Sequence, residues 1–385
     1  MAAGIKKVRG ALDLALIVSD APQTTAAGMF TTNLAAAAPV ELCRLHLALS
    51  RGRARAIVVN SGNANACTGR DGTRAASAAA REAAKLLGLR AQQVLVASTG
   101  VIGVPLQAEQ ILCQLPALKE NLSVENAAAV ARAIMTTDTV PKSIVLRSEN
   151  GGTAVHLAGI AKGAGMIHPR MATLLSFITT DAAVAPEDLG KMLREAVRVS
   201  FNAISVDGDT STNDTVLVLA SGSSEARVAS NRAGGRHFRA GLTELCQTLA
   251  KMIVKDGEGA QKLVTVDIRG ARKASDAERI ARAIANSPLV KTAIAGSDPN
   301  WGRIICAAGY SGAKFAPAKV EIRVNDFVLC RHGLDAGFDE AAAKRELEAK
   351  ELTLTVDLHQ GRASARMWTC DFTHGYIDIN ASYRT

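Results

Sequence analysis

Seven short polar loops interrupt an otherwise apolar chain: NSGNANACTG at 60–69, STGVIG at 98–103, TTDT at 136–139, KGAGMIHPRMAT at 162–173, VDGDTSTNDT at 206–215, DGEGA at 256–260 and DPNWGR at 298–303. One loop of Gly, Asn and Thr ordinarily makes a tight turn and no more. Seven in one chain point to a shared site. Within them, Ala172-Thr173 has the residue types of a self-cleaving precursor that frees an N-terminal threonine. An internal Thr hydroxyl is a poor nucleophile. A freed α-amine, with a pKa of roughly 7.7–8.0, lies within reach of its own hydroxyl and can act as the general base. The pair by itself reads rather as a buried strand threonine, because LLSFITT follows at once.

Other chemistries are excluded by spacing. No GxxxxGK[ST] loop and no GxSxG elbow occurs, and KGAGMIH lacks the third Gly of a dinucleotide fingerprint. DGDTSTND has Thr212 where a calcium loop needs Gly and Val218 where it needs Glu. The seven His residues form no HxxxH pair, so no metal site is expected.

The elements that must position these loops alternate between strand and helix, the mark of an α/β chain. ALDLALIV reads as a strand rather than a signal segment, since Asp13 interrupts it and Asp20 ends it. ARAIVVN at 54–60 is a second strand, followed by an Ala-rich helix from about Thr73 to Leu87 closed by Gly88. VLVAS is a strand ending at Ser98, Ser123 caps a further helix with Glu125 in its first turn, and Pro186 opens another. Residues 227–239, broken by Gly234 and Gly235, read as a surface loop. Ser275 and Glu278 form a capping box. VEIRVNDFVLC and LTLTVDL alternate as strands with one exposed face, and a domain boundary is expected near 260.

At 385 residues the chain is long enough for two domains. Hydrophobic residues at 48% and charged residues at 21% exclude a disordered or fibrous protein. Aromatics at 3% leave no stacking platform for single-stranded nucleic acid, and the net charge of +9 is spread without a basic run. The excess suits anionic small substrates. Seven cysteines without a CxxC pair fit free thiols in a reducing cytosol, and no apolar run has the length to cross a bilayer.

Taken together, the seven loops, with WTCDFT and INASYRT at the C-terminal end, resemble the ornithine acetyltransferases, or glutamate N-acetyltransferases, of arginine biosynthesis. The likeness runs in order from AAGIKK to Thr385. It implies an α/β fold with a layered α-β-β-α core, shared with certain self-cleaving aminopeptidases, and a smaller C-terminal α/β domain. It also implies self-cleavage between Ala172 and Thr173 into an α chain, 1–172, and a β chain, 173–385. The β chain would complete the main domain to about 260, form the smaller domain at about 261–370, and end in a tail, 371–385, returning to the active site.

By the same resemblance, Thr173 is nucleophile and α-amine base, taking acetyl from N2-acetylornithine and passing it to glutamate with neither metal nor cofactor. Thr99 and Gly100 match the oxyanion-stabilising pair. Thr136, Lys162, Thr173, Glu258, Asn380 and Thr385 match substrate-binding positions, with Lys162 facing a carboxylate and Glu258 the ornithine amine. Taken by themselves, Lys162 and Glu258 would be surface charges, and the tail would be frayed unless Ile379 and Tyr383 anchor it. Some relatives also use acetyl-CoA as a donor. The family implies a heterotetramer of two α and two β chains in the cytoplasm, with no nucleic-acid or membrane partner. Two other enzymes share these features, a self-cleaving amidase or aminopeptidase and a secondary-metabolism acyl-ornithine transferase. An inactive binding protein of the same fold is a third alternative. The chain departs from the family in starting almost at AAGIKK, in carrying Arg170 where Asn is usual, and in a longer 227–239 segment.

Overall fold

The structure is a computed structural model that describes residues 1–150, 153–168, 174–231 and 233–382. The chain divides into two compact units. The first draws on Met1–Asn202 and Asp209–Ile253, the second on Ala203–Gly208 and the described part of Val254–Tyr383.

The first unit contains a three-stranded sheet, in which Ala56–Asn63 lies between antiparallel Leu14–Val18 and parallel Val94–Val101. It also contains a five-stranded sheet in the order Thr25–Phe30, Thr215–Ala220, Leu175–Thr180, Thr153–Lys162 and Lys142–Asn150. Leu175, Phe177, Leu217 and Leu219 of the larger sheet share one core with Leu14, Ile57, Val59, Leu95 and Val96 of the smaller. Helices cover the outer faces. Gly69–Leu87 turns its buried Ala75, Ala76, Ala79, Ala80, Ala83 and Ala84 inward. Alanine lets that helix approach closely, and Gly88 in the left-handed conformation stops it. On the other side Gly159 leaves room for Leu245 and Leu249, since a Cβ there would come within 2.8 Å of Leu245. The result is the layered α-β-β-α arrangement.

Asp13 does more than interrupt the first strand. Its buried carboxylate accepts hydrogen bonds from the backbone amides of Ala3, Ile5 and Lys6, folding the AAGIKK segment back on itself.

The second unit is a seven-stranded mixed sheet in the order Leu334–Asp335, Phe327–Arg331, Glu321–Val324, Glu351–Asp357, Leu263–Ala271, Ala363–Cys370 and Ile204–Ser205. The helix Ala274–Asn286 buries Ala277, Ile280, Ala281, Ile284 and Ala285 at helical spacing.

Several local expectations are corrected. The strand begun by VLVAS runs on to Val101, because Gly62 opposite Gly100 lets the two backbones stay paired. The stretch 227–239 holds regular elements where a surface loop was expected: Arg227–Val228 pairs with Ala183–Val184, and a helix spans Ala233–Lys255. Phe238, Leu242, Leu245, Cys246 and Leu249 give that helix one buried face. Gly235 packs so tightly that a Cβ would lie 1.9 Å from the Ala229 carbonyl oxygen. Ser123 caps a 3₁₀ turn, Val124–Asn126, ahead of the helix Ala127–Ala133. Ser275 lies inside its helix, whose N-cap is Lys273 with no side-chain cap, so no capping box forms. The tail includes a helix, His374–Ser382, held by Tyr376 against Phe372 with ring centroids 4.5 Å apart, while Ile379 is exposed. Tyr383 lies outside the described residues.

All seven cysteines are free thiols. No helix among the described residues is long and apolar enough to cross a membrane.

Candidate active site

Thr99 and Gly100 sit inside the strand Val94–Val101 and not at a turn. Gly100 has a φ of +131°, and a Cβ on it would lie 2.3 Å from the Gly62 carbonyl carbon. No side chain fits there. Gly100→Ala is therefore expected to cost about 2 kcal/mol or more through strain and overpacking, visible as a lowered Tm in a thermal melt.

Beside Thr99 lies a buried charge cluster. Lys162, the last residue of Thr153–Lys162, is 2% exposed, and its ammonium donates to Thr99 Oγ1 at 3.4 Å. With a cation on the hydroxyl oxygen, the hydroxyl proton turns away, ready to donate to a developing oxyanion. Lys162 is thus no surface charge.

The counter-charge is Asp138, which the TTDT motif contains but which the sequence reading passed over for its neighbour Thr136. Asp138 Oδ1 accepts from Lys142 Nζ at 2.7 Å and from the Gly163 amide at 2.7 Å. Oδ2 accepts from the Thr136 amide at 3.0 Å and lies 4.0 Å from Lys162 Nζ. Burial alone would raise the Asp138 pKa, yet the ammonium groups of Lys162 and Lys142 and the Gly163 amide hold it at about 2. Lys142, also missed, is 1% exposed. Its spacing from Asp138, four residues on across the VP step, was the available signal.

The loop 60–69 serves as scaffold. Asn60 Oδ1 accepts from Ser98 Oγ at 2.6 Å, Asn60 Nδ2 donates to Asn63 O, and Asn65 Nδ2 donates to Gly72 O. Ser61 Oγ donates to Ala133 O. These bonds brace the strand that bears Thr99.

Thr99, Gly100, Thr136 and Lys162 therefore come together in the first unit. Glu258 and Asn380 belong to the second unit and come together there: Asn380 Nδ2 donates to Glu258 Oε2 at 2.8 Å. Glu258 is buried. Next to it Gly259, at φ +71°, passes so near Tyr376 that a Cβ would lie 2.3 Å from its nitrogen. DPNWGR, also in the second unit, forms a helix start. Asn300 Oδ1 accepts from the Arg303 amide, and Trp301 Nε1 donates to Asp335. Ala172, Thr173 and Thr385 lie outside the described residues, as does Arg170.

The family model for the ArgJ family matches residues 1–385. The chain belongs to the ArgJ family. An "Arginine biosynthesis bifunctional protein ArgJ" of Symbiobacterium thermophilum is 51% identical over 377 residues, covering 98% of this chain and 93% of that protein. The protein of the same name from Geobacter sulfurreducens is 50% identical over 385 residues, covering 100% of this chain and 97% of its own length. Among solved structures, a chain of the Bacillus halodurans ArgJ crystal structure is 41% identical with a TM-score of 0.52. That match covers 53% of this chain and 97% of that one. The α/β layers described above are thus those of an ArgJ-family protein.

Proposed function

We propose that the chain is an acyltransferase of arginine biosynthesis that moves acetyl from N2-acetylornithine to glutamate. Family membership over the whole chain supports the reaction. The structural observation that carries the mechanism is the buried Lys162 ammonium on the Thr99 hydroxyl.

In the first step the Thr173 hydroxyl attacks the acetyl carbonyl, its proton passing to the α-amine freed by cleavage after Ala172. The charge that develops on the carbonyl oxygen is met by the Thr99 hydroxyl and the Gly100 amide, with the Lys162 cation behind them. The carbon–nitrogen bond breaks and ornithine leaves with the proton. In the second step the amine of glutamate attacks the acetyl ester, which releases N-acetylglutamate and restores Thr173. Thr136, Lys162, Glu258, Asn380 and Thr385 are the substrate-binding residues of this reading. The steps need no metal or cofactor, acetyl-CoA is a second donor for glutamate, and the working form is a cytoplasmic heterotetramer of two α and two β chains.

Intact mass under denaturing conditions tests maturation: two fragments, one ending at Ala172 and one beginning at Thr173, are expected. Incubation with N2-acetylornithine and labelled glutamate then tests the acceptor. Labelled N-acetylglutamate supports the reading. Free acetate in its place would make the protein an amidase, and labelled product from acetyl-CoA would establish the second donor.

A further inference from the structure

The loop VDGDTSTNDT ends in two buried side chains that the reaction above leaves without a role. Asn213 Nδ2 donates to two backbone carbonyls, Ser98 O at 2.8 Å and Ala64 O at 2.6 Å. A carboxamide nitrogen has two N–H groups, and both are engaged here. Ser98 is the residue before Thr99, and Ala64 lies in the loop 60–69 that braces the same strand. Thr212 Oγ1 donates to Asn213 Oδ1 at 2.6 Å and fixes the orientation of the amide.

The next residue grips the other side of the chemistry. Asp214 Oδ1 accepts from the Leu174 amide at 2.9 Å, the first N–H after Thr173. Its backbone takes part as well: Asp214 O accepts from Thr31 N at 3.0 Å, and Thr215 N donates to Leu174 O at 3.1 Å. From there Thr215–Ala220 runs in parallel register with Leu175–Thr180. Asp214 is 0% exposed. Complete burial pushes the carboxyl well above its ordinary range, outweighing the Leu174 amide, the Thr31 hydroxyl and the pull of Lys162.

We propose that Asn213 and Asp214 are a positioning pair, in which Asn213 fixes the strand bearing Thr99 and Asp214 fixes the amide that follows Thr173. Two consecutive residues, whose Cα atoms are about 3.8 Å apart, thereby set the separation of the oxyanion donors from the nucleophile. A misplacement of about 1 Å at such a site costs roughly a hundredfold in rate. The inference rests on the reading of Thr173 as nucleophile.

The test uses the full chain, with cleavage followed by intact mass and transfer by labelled glutamate. Asp214→Ala and Asn213→Ala are expected to slow cleavage and to lower kcat of the cleaved fraction at least about tenfold, with KM within about twofold. Asp214→Asn keeps the shape and an acceptor oxygen for the Leu174 amide, so it should restore both rates to within about threefold of the parent. Parent-like cleavage and kcat in Asp214→Ala would overturn the proposal. So would an Asp214→Asn as impaired as Asp214→Ala, or kcat, KM and Tm all falling together in every variant. If Asp214→Ala lacks a cooperative melting transition, Asp214→Ser replaces it and is read the same way. Thr173→Ala is the control. Transfer that persists there removes the nucleophile reading itself, whereas transfer lost there but kept in Asp214→Ala removes this inference alone.

Discussion

Thr173→Ala is expected to yield a single uncut chain and to lower acetyl transfer by about 10⁴-fold or more, the scale on which loss of a covalent nucleophile is felt. Both effects have one cause. In the proposed mechanism the hydroxyl that attacks the preceding peptide during cleavage is the hydroxyl that later accepts the acetyl group, so alanine would remove two reactions at once. Thr173→Ser separates this from a loss of fold, because serine keeps the hydroxyl and, after cleavage, the α-amine. Intact mass and a labelled-glutamate assay on the three proteins are the measurements. Cleavage and transfer by Thr173→Ala at the parent rate would place the nucleophile elsewhere.

Asp138→Ala should have the largest effect on stability. The change removes the acceptor for Lys142 Nζ and for the Thr136 and Gly163 amides. It takes from two buried ammonium groups the carboxylate that faces both of them, a loss that costs about 3–5 kcal/mol. Denaturant unfolding would show this as a lower midpoint at unchanged slope. Transfer should fall as well, since Lys162 loses the carboxylate that holds it beside Thr99.

The same carboxyl predicts an acid limit. Its folded pKa of about 2 lies below the ordinary 3.8. The folded state therefore binds the proton less readily than the unfolded chain does. The stabilisation is fully present above about pH 4 and is lost as pH falls towards 2. Unfolding measured from pH 6 downward should show this loss in the parent, and Asp138→Asn should show a smaller slope over the same interval.

How much of this was legible in the sequence depends on how local the signal is. The Ala-rich helix ending at Gly88 and the strand Leu14–Val18 follow from periodicity and caps, which are written into adjacent residues. The helix Ala233–Lys255 was hidden because Gly234 and Gly235 break the local pattern. Glycine is needed there for the close approach to Ala229, a contact no propensity scale contains. The capping box at Ser275 failed for the opposite reason: the local pattern was present, but the helix started two residues earlier, with Lys273 as its N-cap.

The sequence by itself determined the alternation of strands and helices, the set of polar loops and, through their joint resemblance, the family to which the chain belongs. Those properties reside in residue order. Only the tertiary structure decided that Thr99 and Gly100 lie within a strand and that Lys162 is buried on the Thr99 hydroxyl. It alone singled out Asp138, Lys142, Asn213 and Asp214 among many polar residues. It alone assigned residues 203–208 to the second unit, where Ile204–Ser205 pairs with Ala363–Cys370. The physical reason is common to all of these. Burial of a charge and the reach of a hydrogen bond depend on sheet register and on segments far apart in sequence, as with Asn213 and Ser98, 115 residues apart. A polar residue read in isolation has no such partner, and its ordinary place is the surface.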